Sequence, residues 1–293
     1  MRNKVLSPHT KLAQERIFLM RSAVLLLLLV SSGASAVVIR DDVPDLQYRM
    51  AASEFPALAD MPGEGHGVLI APLWVLTAAH VVDRHHAVGV VVVAGAPRAV
   101  RNVFIHPGFR KPPQKMIDSA LASGDWEPFF EFMASSDDIA LVQLAEPVLD
   151  VAPARIYNGD ALGKVVRIMG RGATGTGVTG HHLYAPQRTD LRHGYNKISV
   201  SEDRWIGYRF DKPPNALPLE ASTGSGDSGG PILVATGDEW HVAGLMAWKR
   251  VVVTGTELHP GKYGETVFGV RLGNYADWIE KLIADGGISG TSR

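Results

Sequence analysis

No cysteine occurs among the 293 residues, which removes both a disulfide framework and a thiolate metal site. Excess charge is lacking as well: 29 Lys and Arg against 30 Asp and Glu leave a formal net charge of −1. With no basic stripe in view, nucleic acid is not expected as a partner. From Val37 onward the chain has no repeat, no low-complexity tract and no long run of like charge. The apolar run Ala23–Val30, which holds five consecutive leucines, falls well short of the about 20 residues that span a bilayer.

What is present is apolar: 46% of the residues are hydrophobic, enough at this length for one large domain or two modest ones. The N-terminus reads as a targeting segment. Met20-Arg21 precedes Ala23–Val30, and Ser31-Ser32-Gly33-Ala34-Ser35-Ala36 supplies the small residues of a secretory signal over 1–36, cleaved after Ala36. Translation could begin at Met1 or at Met20. No membrane span is expected once the signal is removed.

Short β-rich runs follow, divided by Gly, Pro and Asp clusters: 67–70, 74–77, 88–94, 99–105 and 139–144. They resume after a Pro- and Gly-marked crossover over 146–163, at 165–169, 197–200, 205–210, 232–234, 241–248 and 266–272. Many short strands with frequent turn signals predict an all-β barrel or sandwich. The chain closes in a predicted helix capped by Asn274, with Tyr275, Trp278, Ile279, Leu282 and Ile283 at helical spacing and Gly286 at its end. Residues 111–136 read instead as one or two short amphipathic helices, the second opening at Asp125 with Pro128 in its first turn. This stretch is either an insertion packing its aromatics on the barrel or an exosite or lid at a cleft rim.

Chemistry concentrates in Gly226-Asp227-Ser228-Gly229-Gly230-Pro231, which runs into Ile232-Leu233-Val234. A serine between glycines suits a nucleophile, because bare backbone lets a carbonyl approach and leaves amide N–H groups reachable. The hexapeptide GDSGGP resembles the nucleophile loop of the trypsin-like (chymotrypsin-family) serine peptidases. That resemblance demands a His and then an Asp upstream. Leu76-Thr77-Ala78-Ala79-His80 and Asp138-Ile139-Ala140-Leu141 match the family's LTAAH and DIAL motifs in that order. Asp137 is the rival carboxylate; the DIAL match favours Asp138 and makes Asp137 a solvated neighbour.

The resemblance implies two six-stranded antiparallel β-barrels with a C-terminal α-helix packed on the second. The halves would be 37–150, carrying the helical insertion 111–136, and 151–293. It implies catalytic His80, Asp138 and Ser228, with backbone N–H groups of Gly226 and Ser228 as oxyanion hole and a polypeptide as substrate. The base of the primary pocket would be Ser222, offering no carboxylate to a substrate Lys or Arg, with Trp248 on the substrate-binding strand and Lys249 at the pocket mouth. Ala247 lacks a hydroxyl that usually supports the catalytic Asp. Thr266 or Val267 stands where a wall glycine is common, and Gly170–Gly180 resembles the loop after a Gly-x-Gly strand. In this family a freed apolar N-terminus pairs with the Asp preceding the nucleophile. Here that would be an ion pair of Val37 with Asp227, made available by signal cleavage.

Of the 11 histidines only His80 has a motif. His85-His86 and His181-His182 have no zinc or calcium spacing around them, so no metal and no cofactor is expected. The expectation is a monomeric exported serine endopeptidase, secreted or periplasmic, of a bacterial type whose large core replaces the disulfides common in animal members. The alternative is an idle relative that binds a partner through the cleft or the insertion.

Overall fold

The computed structural model describes residues 37–61, 63, 65–83, 88–181 and 190–286. The expected signal segment, 1–36, and His85, His86 and His182 lie outside these residues. Among the described residues no helix is long and apolar enough to cross a membrane.

In chain order the strands are β1 (Val38–Ile39), β2 (Leu58–Asp60), β3 (His66–Ala71), β4 (Trp74–Thr77), β5 (Val90–Val93), β6 (Ala96–Ile105) and β7 (Ala140–Leu144). After the crossover come β8 (Val165–Gly170), β9 (Gly175–Thr176), β10 (Gly180–His181), β11 (Arg192–Glu202), β12 (Trp205–Arg209), β13 (Ala221–Ser222) and β14 (Pro231–Thr236). The last four are β15 (Glu239–Arg250), β16 (Val252–Thr254), β17 (Glu257–His259) and β18 (Thr266–Arg271). Helices are α1 (Ala79–Val82), α2 (Gln114–Ser123), α3 (Glu127–Ala134) and α4 (Ala276–Ala284).

Two closed six-stranded barrels result, in the orders β2-β3-β4-β7-β6-β5 and β11-β12-β18-β15-β14-β8. Every barrel pairing is antiparallel. The all-β expectation therefore holds, and closure leaves no open edge in either barrel. Eleven of the twelve barrel strands fall on the apolar runs; the twelfth, β2, is three residues long and too short to show alternation. Strand β11 alternates buried and exposed residues over its first half, while β4 and β7 are buried throughout. Where both faces of a strand are covered, the period of two disappears from the sequence.

The two ends of the described chain cross over. Val37, Ile39 and Tyr48 are buried in one cluster with Ile168, Ile198, Ile206 and Ile232 of the second barrel. Fully buried Arg192 of β11 binds Asp45 through two nitrogens at 2.6 and 2.8 Å and locks this segment down. The terminal helix, expected on the second barrel, reaches the first: Tyr275 and Trp278 meet the His106 ring edge-on at 5.3 and 5.1 Å, and Gln143 donates to the Gly286 carbonyl. Asn274 is not its cap. The Asn274 amide donates to the Asp203 carbonyl instead, and a 3-10 turn over Leu272–Tyr275 leads into α4.

Candidate active site

Strands β4 and β7 pair with Thr77 opposite Ala140. That register puts the residues following Thr77 and those preceding Ala140 at one end of the pair. His80 sits in the single-turn helix α1, entered through extended Ala78, and Asp138 sits two residues before β7. The Asp138 carboxylate is 2% exposed. One of its oxygens accepts the His80 backbone N–H at 2.9 Å, and the other lies 2.7 Å from His80 Nδ1. One contact fixes the His80 backbone and the other its ring, and the carboxylate favours the tautomer with the proton on Nδ1.

The Ser228 turn comes from the second barrel. Its position is set by backbone: His66 N–H donates to the Ser228 carbonyl at 2.7 Å, and Gly229 N–H donates to Met246 at 2.7 Å. A Cβ on Gly229, at φ +75°, would collide with the His66 carbonyl and the Thr77 hydroxyl. The serine turn thus nests against the strand end that carries His80. Asp227 is fully buried and accepts backbone N–H groups of Gly172 at 2.7 Å and Gly224 at 2.8 Å. Gly226, at φ +95°, completes the turn. Among the described residues the N–H groups of Gly226 and Ser228 carry no hydrogen bond, as donors kept for a ligand would.

Behind the turn the geometry departs from expectation. Ser222 is fully buried in β13 and its hydroxyl donates to the Glu265 carboxylate. Lys249 does not stand at a mouth. Its ammonium turns inward, 2.7 Å from the Thr223 carbonyl and 3.2 Å from Glu265 Oε1. Glu265, itself fully buried, also accepts Gly261 N–H at 2.7 Å. A carboxylate therefore does lie against Ser222, although it comes from 43 residues further along. Trp248 is stacked between Phe268 at 4.2 Å and Phe130 of the insertion at 6.4 Å, and is only 9% exposed.

A sequence model of the trypsin family matches residues 47–279, most of the chain. The protein belongs to the trypsin family. Among solved structures it is similar to neuropsin, a serine protease expressed in the limbic system of mouse brain, at 20% identity and a TM-score of 0.59. That match covers 80% of this chain and 98% of that one. At this identity the likeness speaks for the fold, and the two barrels agree with it. Family and fold together make the chain a trypsin-like serine-type endopeptidase.

Two further sites differ from the trypsin-like expectation. Asp137 is no solvated neighbour: Arg204 Nε donates to it at 2.9 Å and the Tyr275 hydroxyl at 2.7 Å, with His106 Nδ1 at 3.4 Å. Burial first, and then this carboxylate, push the Tyr275 phenol above its usual range. Asp137 and Asp138 point opposite ways, as neighbours at a strand entrance do, so Asp137 ties the first barrel to Arg204 and the terminal helix while Asp138 faces His80. His66 had no motif. It lies fully buried beside the turn, accepts Arg171 N–H at 3.2 Å, and burial pushes its imidazole down to about 4. Among the described residues no group of three metal-ligating side chains converges; His181 instead lies 3.2 Å from the Ser225 hydroxyl.

Proposed function

We propose that this trypsin-family chain cleaves polypeptides by an acyl-enzyme route in which Ser228 attacks, His80 moves the proton and Asp138 holds His80. The observation that carries this reading is the two-point grip of Asp138 on the His80 ring and backbone. A serine hydroxyl is a weak nucleophile near neutral pH and needs a base within reach. His80 Nε2 takes the Ser228 proton as the Ser228 oxygen bonds to the scissile carbonyl carbon. The same proton then goes to the leaving amine as the C–N bond breaks. Water repeats the sequence and releases the acid. The N–H groups of Gly226 and Ser228 receive the oxyanion, and one such donor is typically worth about 3–4 kcal/mol of barrier.

Export as a monomer through the 1–36 segment, followed by pairing of the Val37 amine with Asp227, completes the proposal. Both residues are buried, Val37 at 1% and Asp227 at 0% exposure. Halves meeting near residue 150, with Trp248 and the Ser222–Lys249 region as the substrate wall, belong to the same reading.

The test is fluorophosphonate labelling of the mature protein with Ser228→Ala as control, followed by kinetics. Ser228→Ala, His80→Ala and Asp138→Asn should each lower kcat/KM by about 10⁴-fold. Because the residues act as one unit, His80→Ala/Ser228→Ala should be little worse than either single variant. Multiplying losses would sink the triad, and a folded protein that refuses the probe would leave a binding module.

A further inference from the structure

The Ser222 region is sealed from inside by a cation of the protein's own. Three facts define it. The Lys249 ammonium lies 2.7 Å from the Thr223 carbonyl and 3.2 Å from Glu265 Oε1. Glu265 is fully buried; its Oε1 also accepts the Ser222 hydroxyl, and its Oε2 accepts Gly261 N–H. The Lys249 side chain is 15% exposed against 0% for its acid partner, so most of the pair is withdrawn from solvent.

Both walls are locked to the nucleophile turn. Thr223 directly precedes Gly224, whose N–H holds Asp227. The strand of Lys249 holds Gly229 through the Met246 carbonyl. The turn Gly261–Glu265, closed by Glu265 N–H to Lys262, fixes the carboxylate. A buried carboxylate is costly without compensation, and here the Lys249 ammonium supplies the positive charge.

We propose that Lys249 is a built-in occupant of the pocket beside Ser228, standing where a basic substrate side chain would otherwise bind Glu265. Glu265 is then the residue that sets the charge preference of the pocket, and Lys249 the residue that masks it. The inference rests on the substrate wall assigned above. The wild-type protein takes short uncharged side chains at the residue whose carbonyl Ser228 attacks. Without the Lys249 ammonium the same site accepts alkylammonium or guanidinium side chains. An acidic substrate side chain gains nothing from Lys249, which is already paired.

Binding is measured in a Ser228→Ala background, so that it does not depend on catalysis. n-Butylammonium and N-ethylguanidinium are titrated by calorimetry and thermal shift into that protein, into Lys249→Ala, and into Lys249→Ala/Glu265→Gln. Saturable binding should appear only in Lys249→Ala. With Ser228 restored, Lys249→Ala should raise the ratio of kcat/KM for a Lys substrate over an Ala substrate by about 100-fold, the range of a newly satisfied buried pair. Equal binding by the wild-type pocket, no binding by folded Lys249→Ala, or binding that survives Glu265→Gln would each overturn the proposal. If Lys249→Ala folds only with n-butylammonium present, that rescue is itself the expected result. If the cation does not rescue an unfolded Lys249→Ala protein, the site has no use for a free alkylammonium and the proposal falls. Cation binding without probe labelling at Ser228 would refute the peptidase reading alone; labelling without cation binding would refute this inference alone.

Discussion

At the scale of single residues, spacing in sequence decided what could be read early. His80, Asp138 and Ser228 each lie inside a contiguous motif, because the backbone that presents them is local: a strand end, a strand entrance and a glycine turn. Glu265 has no such signature. Its partners Ser222 and Lys249 stand 43 and 16 residues away and meet it only after the second barrel closes. His66 was equally hidden, yet it makes a sharp pH prediction. Its folded value of about 4 lies below the ordinary imidazole value of about 6.5. The folded state therefore binds fewer protons than the unfolded state between these values, and stability is complete above about 6.5 and lost as pH falls through 4. Its share is on the order of 3 kcal/mol. His193, pushed down to about 4 mainly by burial, acts in the same window. Urea unfolding at pH 7 and pH 4.5 should show a smaller loss for His66→Gln, which can still accept the Arg171 N–H, than for wild type. An unchanged loss would assign the acid sensitivity elsewhere.

At the scale of elements, the insertion is where pattern reading did best without a motif. Pro128 does lie in the first turn of the second helix, which runs over Glu127–Ala134 and so starts two residues after Asp125, whose carboxylate accepts the Glu127 N–H; Gly124 at φ +75° ends the first. What the periodicity could not supply is the partner. The face of α3 bearing Phe130 lies on Trp248, and Arg250 ties the same helix through Glu127 and sits 5.1 Å over the Phe130 ring. The packing and cleft-rim readings of this insertion therefore meet in one contact. Phe130 is 6% exposed, so Phe130→Ala should cost about 3–4 kcal/mol by burial and cavity. If α3 only straps the barrel, kcat/KM should survive that loss unchanged. If it lines the cleft, KM should rise for peptides extended beyond the scissile residue. Chemical denaturation and peptide kinetics on the same sample separate the two. β2 and the true start of α4 were beyond reach for a plainer reason, since three residues carry no period and a 3-10 turn mimics the first turn of an α-helix.

At the scale of the whole molecule, the short sheet β10-β9-β1-β13 joins the start of the described chain to the Ser222 strand: Val38 pairs with Ser222 and with Gly175, and Ile39 with Ala221 and Thr176. Residues 38–39 are therefore coupled to the Ser222 strand by backbone. Protein beginning at Val37 should exceed in kcat/KM both an acetylated form and one carrying an uncleaved Met-Ala extension. Equal activity in all three would remove the amine from the mechanism and leave β1 as a strap. Such coupling could not be read from residues 37–39 alone, because an apolar tripeptide does not say which strands it will join.

The crossed ends have a temporal consequence. The first segment, Val37–Tyr48, finds its core among strands made later, and the first barrel receives Tyr275 on Asp137 only from the last helix. A growing chain that has reached Ser228 carries all three motif residues and the six strands of the first barrel, yet lacks β14, β15 and β18 of the second and the Tyr275 contact. A peptidase assembled in this order is expected to stay silent until its last strands and helix are made. A chain stopped at Arg271 should hold Ser228 intact in sequence and still fail to take the fluorophosphonate, whereas the chain carried through Gly286 labels. Labelling of the shorter chain would show that the terminal helix only adds stability to an enzyme already awake.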